Sequence, residues 1–173
     1  MADFPTAYNW MMDNEDASRA YADVPDAPPG AHAISGINSA AWPEEFEAIA
    51  ALSQDQREPL VQQFYENHFW NMWYAQLTSD EVAKRVFDMA VNAGSVAAVR
   101  CLQEAMKSLV RSFPLLVTDG LWGPNTIQQV NLVKSDSIIP AFQQARVTHY
   151  DALIAANPAL AIYKDTWTAR AEK

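Results

Sequence analysis

Residues 78–109 read TSDEVAKRVFDMAVNAGSVAAVRCLQEAMKSL, and this stretch decides the fold class. Val82, Val86, Met89 and Ala90 recur at helical spacing and make one apolar stripe. Thr78 followed by Glu81 is a capping-box pattern ahead of that stripe, and Gly94 is a natural stop after it. Ser95 can cap a second helix, on which Val96, Val99, Leu102, Ala105, Met106 and Leu109 form the buried stripe. Two adjacent amphipathic helices joined at a single glycine predict helix-on-helix packing.

The same period extends outward in both directions. Tyr8, Met11, Met12 and Glu15 stand at i, i+3, i+4 and i+7, so a short helix from Tyr8 to Glu15 carries all four on one face. From Asp16 to Ser39 the period breaks at Pro25, Pro28, Pro29, Gly30 and Gly36, which predicts an ordered but irregular loop. Pro43 can open a helix reaching Leu52, and Ser53 with Gln56 suggests a capping box before a helix reaching Tyr74, kinked or delayed by Pro59. Beyond the central pair, Pro114 and Asp119-Gly120 mark a loop and Pro124 opens a helix. Ser135 or Ser137 caps a long helix with Pro140 near its first turn, Asn157-Pro158 breaks it, and a last helix runs towards Arg170. The best extended candidate is only Leu115 to Val117. The expected architecture is all-α, a single domain of six to eight helices.

Composition narrows the function classes. The 173 residues carry a formal net charge of -9, without the basic stripe that phosphate backbones require, so nucleic acid is not an expected partner. Cys101 is the single cysteine, so no intrachain disulfide can form. His32, His68 and His149 lack metal-ligand spacing, so no metal is expected. No run of 18 apolar residues exists to span a membrane, and residues 1–10 lack the basic and apolar regions of a cleavable leader.

Three places offer chemistry. Glu15 lies on an apolar helix face beside Met11 and Met12; such a carboxyl resists ionisation and suits a general acid, whereas a merely solvated helix-end carboxylate is the plainer alternative. Asp23 and Asp26 in the following loop can supply a second carboxylate, or can make Asx turns beside the prolines. The aromatic run from Phe64 to Tyr74 has two ring faces, Tyr65/Phe69/Trp73 and Trp70/Tyr74, of which one can pack inward and the other reach a cleft. Asn92 can hydrogen-bond a sugar or simply finish its helix.

Taken together these residues resemble the glycoside hydrolase family 108 muramidases, known as phage endolysins and related bacterial proteins. The helix ending Asn14-Glu15-Asp16 and the loop closing with Gly36-Ile37 are similar to the family's catalytic helix and its Asp-x-Gly-Gly-x-Thr-x-x-Gly-Ile loop. Here Pro29-Gly30 stands for the glycine pair and Ala33 for the threonine. Tyr65 to Trp70, Val86-Phe87-Asp88-Met89-Ala90-Val91-Asn92-Ala93-Gly94, Leu102-Gln103-Glu104-Ala105, Asp119-Gly120-Leu121-Trp122-Gly123-Pro124-Asn125-Thr126 and the closing Trp167 to Arg170 match further family motifs.

The resemblance implies a lysozyme-like catalytic portion over residues 1–77. It implies a helical portion over 78–173, associated with peptidoglycan binding and sharing the same core. The implied substrate is the glycan strand of peptidoglycan, cut between N-acetylmuramic acid and N-acetylglucosamine without a cofactor. Glu15 would be the acid and Asp26, or else Asp23, would assist water. Tyr65 and Trp70 would line the sugar cleft, with Asn92 as a polar contact. Without a leader, the protein would be made in the cytoplasm and reach the wall on release or in a virion. Two rivals stand beside this reading: a lytic transglycosylase, which needs one acid and no hydrolytic water, and a cell-wall-binding or phage structural protein that has lost catalysis.

Overall fold

Pro43, Pro59 and Pro124 each stand in the first turn of a helix, where the missing N–H would have had no intrahelical partner. The computed structural model describes residues 1–110 and 116–173. Among these are eight α-helices: α1 (Phe4–Glu15), α2 (Pro43–Ala50), α3 (Glu58–Phe69), α4 (Asp80–Ala93), α5 (Ser95–Leu109), α6 (Pro124–Leu132), α7 (Ser135–Ala156) and α8 (Lys164–Ala171). The fold is all-α in character, as the periodicity predicts. Pro114, which marks a predicted loop, and Leu115, the start of the extended candidate, lie outside the described residues; Leu116 and Val117 are not in a strand. No helix among the described residues is long and apolar enough to cross a membrane.

The chain forms two compact units, one of residues 4–71 and one of residues 1–3 with 72–173. In the first, α1 buries Phe4, Ala7, Tyr8, Met11 and Met12, and α3 buries Val61, Phe64 and Tyr65. The segment after α1 departs from the expected irregular loop. It contains a three-stranded antiparallel sheet, β1 (Asp23–Asp26), β2 (Ala31–Ile34) and β3 (Ile37–Asn38), in the order β1-β2-β3. Its sequence hid it because all four residues of β1 are exposed, so no apolar alternation appears. Pro25 is accommodated because β1 is an edge strand paired on one side only. Asp23 pairs with Ile34, and Asp26 pairs with Ala31 at the far end of the hairpin.

In the second unit, α4 buries Val82, Ala83, Val86, Phe87, Met89 and Ala90, and α5 buries Ala98, Val99, Cys101, Leu102, Ala105 and Met106. The cap of α4 is Ser79, whose hydroxyl accepts from the Val82 amide, rather than Thr78. Gly94 ends α4 at φ +88°, as the sequence predicts. The ends of the α5 stripe, Val96 and Leu109, are exposed, because the helix is covered only over its middle turns.

Beneath these helices is a charge cluster. Asp88 of α4, 0% exposed, accepts from Arg146 Nη2 of α7 at 2.9 Å and from Arg170 of α8 through Nε at 3.0 Å and Nη2 at 2.7 Å. Arg146 is likewise 0% exposed. Asn92, one turn along from Asp88, accepts from Arg170 Nη1 and donates to the Tyr150 hydroxyl, on whose ring Trp167 stacks at 5.0 Å. Two ends of the sequence pattern, Val86–Gly94 and Trp167–Arg170, thus meet around one carboxylate.

Candidate active site

The site is built on the end of α1 and the turn that joins β2 to β3. Ile34 pairs with Ile37, so Ser35 and Gly36 are the two residues of a tight turn. Both have positive φ, 48° and 84°, as a type I′ hairpin turn requires. Glycine takes that conformation freely, but serine has to be held in it. Two bonds do so: Ser35 Oγ donates to Asp16 Oδ2 at 2.8 Å, and the Ser35 carbonyl accepts from the Tyr65 hydroxyl at 2.7 Å.

Asp16 organises the rest of the turn region. Its carboxylate accepts from Ser35 Oγ, the Tyr21 amide, the Ala20 amide and Ser18 Oγ. Partial burial alone would raise its pKa, but these donors outweigh burial and hold the carboxyl below its usual range. The chain between α1 and the sheet is tied down further by Arg57, whose Nη1 donates to the Tyr21 carbonyl at 2.7 Å. Asp16 therefore fixes the hairpin against the helix that ends in Glu15. Only its place directly after Glu15 marks Asp16 in the sequence.

Glu15 reaches across this turn. A Cβ added at Gly36 would stand 2.6 Å from Glu15 Oε2 and 2.8 Å from the Tyr65 hydroxyl. Only glycine leaves that space to the carboxylate. Gly36 is itself exposed while Glu15 is half-buried, so the carboxyl sits at a solvent-accessible edge with protein behind it.

Gly36→Ala is expected to lose ~1–3 kcal/mol of stability from the forced positive φ, and to lower turnover at least about tenfold by displacing Glu15. Gly30 is the internal comparison: its φ is +90° and an added Cβ meets nothing within 4 Å. Gly30→Ala should therefore cost stability but not turnover. Equal turnover for the two variants, measured beside their melting temperatures, would show that Gly36 does not seat the acid.

The other expected site residues fall in different places. Tyr65 is 1% exposed, so its ring is not a sugar platform; its hydroxyl supports the turn instead. The two expected ring faces do not form, because α3 ends at Phe69 short of Trp73 and Tyr74, and Tyr74 is itself buried. Trp70 closes α3, is half-buried and packs edge-on against Phe4 at 5.7 Å. Asn92 belongs to the second unit, where its amide donates to the Tyr150 hydroxyl and accepts from Arg170, tying α4 to α7 and α8.

Asp26 is separated from the Ser35-Gly36 turn by the length of β2, about 10 Å. Its Oδ2 accepts from Asn38 Nδ2 at 2.7 Å and its Oδ1 from the Ala27 amide at 2.8 Å. Asp23 is the carboxylate nearer the Ser35-Gly36 turn, because its partner Ile34 directly precedes that turn. It lies 2.7 Å from His32 Nδ1.

No curated protein matches the chain. Among solved structures, SagA of Brucella abortus is similar, with 23% identity and a TM-score of 0.67 over 97% of this chain and 88% of that one, a likeness of fold. The family model described as glycosyl hydrolase 108 matches residues 10–94, a span that contains Glu15, the hairpin, Gly36 and Tyr65. Over that segment the chain is similar to the glycosyl hydrolase 108 family.

Proposed function

We propose that the protein degrades peptidoglycan by cutting the β-1,4 bond between N-acetylmuramic acid and N-acetylglucosamine, with Glu15 protonating the leaving glycosidic oxygen. The observation that carries this reading is the seat of Glu15. Its carboxylate fills the space that every residue but glycine would close at position 36, at an edge open to solvent. A glycoside hydrolase needs a positioned acid at such an edge, where a polymer can be laid across it. The resemblance to muramidases supplies the substrate class.

The second unit supports a role in holding the strand. A cavity of about 380 Å³ lies beside the Asp119–Thr126 motif, lined among others by Leu121, Trp122, Asn125 and Gln128. Gln103 shapes its wall by donating to Asp119 Oδ1 and accepting from the Gly120 amide.

A lytic transglycosylase is the second reading. The bonds that Asp26 makes to Asn38 and Ala27, and its place at the far end of the hairpin, favour it, since that chemistry needs no carboxylate to activate water. Mass spectrometry of digested peptidoglycan separates the two. Reducing muramic ends support the muramidase, anhydro-muramic ends support the transglycosylase, and no products at all would leave a binding protein.

A further inference from the structure

We infer that His32, held by Asp23, is the base that activates the hydrolytic water, in the place where a second carboxylate was expected. The inference rests on the muramidase reading. Four observations on one hairpin carry it.

The first is the pair itself. His32 Nδ1 and Asp23 Oδ1 are 2.7 Å apart, and an ionised carboxylate can only accept, so the proton of a neutral ring sits on Nδ1. That leaves Nε2 with a lone pair, which is the arrangement of a general base with its orienting carboxylate. The second is rigidity. The His32 amide donates to Ser39 Oγ at 2.9 Å and its carbonyl accepts from the Ser39 amide at 2.8 Å, while β1 flanks the other side. The third is access, since the imidazole side chain is 48% exposed and that of Asp23 38%.

The fourth is position. His32 is on the strand that leads through Ile34 into the Ser35-Gly36 turn, against which Glu15 is seated. An inverting glycosidase needs its acid and base roughly 6.5–9.5 Å apart so that sugar and water fit between them. Asp26, three residues further along β1, is tied to Asn38 and Ala27 and has no such partner ring.

The step balances without a further reactant. Water attacks the anomeric carbon and gives its proton to His32 Nε2. The bond from that carbon to the glycosidic oxygen breaks, and the oxygen takes the Glu15 proton. Glu15 is left as carboxylate and His32 as imidazolium facing Asp23, and solvent returns each to its starting state. His32 touches the reacting water; Asp23 is a positioning residue that acts through it.

The test digests peptidoglycan with the wild type, Glu15→Gln, His32→Ala, His32→Asn and Asp23→Asn. Products are read by mass spectrometry, with and without sodium azide, and folding is checked by melting. The expected result is at least about a 100-fold loss of reducing muramic ends for both His32 variants. Azide, which needs no base, should restore cleavage as a muramyl azide adduct. Asp23→Asn should shift in the same direction by a smaller factor. Folded His32 variants with wild-type rate and products would overturn the inference and leave the muramidase reading standing. So would a loss that azide does not restore, since that marks a structural role. A wild type giving only anhydro ends, or nothing, overturns the muramidase reading and this inference with it.

Discussion

Glu15→Gln should fold and melt like the wild type and lose at least about 100-fold in peptidoglycan cleavage, the low end for removing a general acid. The amide has nearly the shape of the carboxyl and fits the same space over Gly36, so the turn need not move. What it cannot do is give a proton to the leaving oxygen and carry the resulting charge. The loss should fall on turnover rather than on strand binding, because the interaction removed belongs to the transition state. Retention of near wild-type turnover would remove Glu15 from the mechanism. Weakened binding at unchanged turnover would recast it as a sugar contact.

Asp88→Asn should be the most destabilising single substitution in the second unit, by roughly 3–5 kcal/mol. The volume is nearly conserved, so packing is not the issue. The variant leaves Arg146, fully buried, and Arg170, 11% exposed as a side chain, facing each other without the carboxylate between them. Three helices converge on that carboxylate, α4, α7 and α8, so the loss should release α8 first. Chemical denaturation measures the total, and amide exchange across residues 164–171 reports the local part. A loss below about 1 kcal/mol would mean that the guanidinium charges are solvated in a way the buried geometry does not show.

The helices were legible because their signals are local. Proline in the first turn, glycine at position 94 and the stripe of α4 each act within a few residues. The sheet was not legible, since its strands are two to four residues long and β1 is wholly exposed. The site divides the same way. Glu15 could be picked out from its helix face, but the reason it is held in place comes from Ser35, Gly36 and Tyr65, up to 50 residues away in sequence. The hairpin register, which brings Asp23 beside Ile34 and Asp26 beside Ala31, is a pairing that no local pattern in the sequence displays. A charged residue on a helix gives no sign of the partners that bury it, which for Asp88 stand 58 and 82 positions downstream.

The Asp88 cluster also marks where this protein can be engineered. It holds two guanidinium groups for one carboxylate, and among the described residues Arg146 Nε and Nη1 have no hydrogen-bond partner. Arg170 alone already meets both carboxylate oxygens through Nε. Replacing Arg146 with a flexible hydrocarbon chain of similar length would remove the surplus charge and its unsatisfied donors while leaving that bidentate contact. Arg146→Met should thus be neutral or raise stability by about 1 kcal/mol, within the range seen when buried ion networks give way to apolar side chains. A drop in melting temperature comparable to that of Asp88→Asn would show the opposite, that the surplus guanidinium supports the fold. Within one cluster, the anion is then the part to conserve and the more deeply buried cation the part to exchange, a direct route to a hardier enzyme that leaves the Glu15 hairpin untouched.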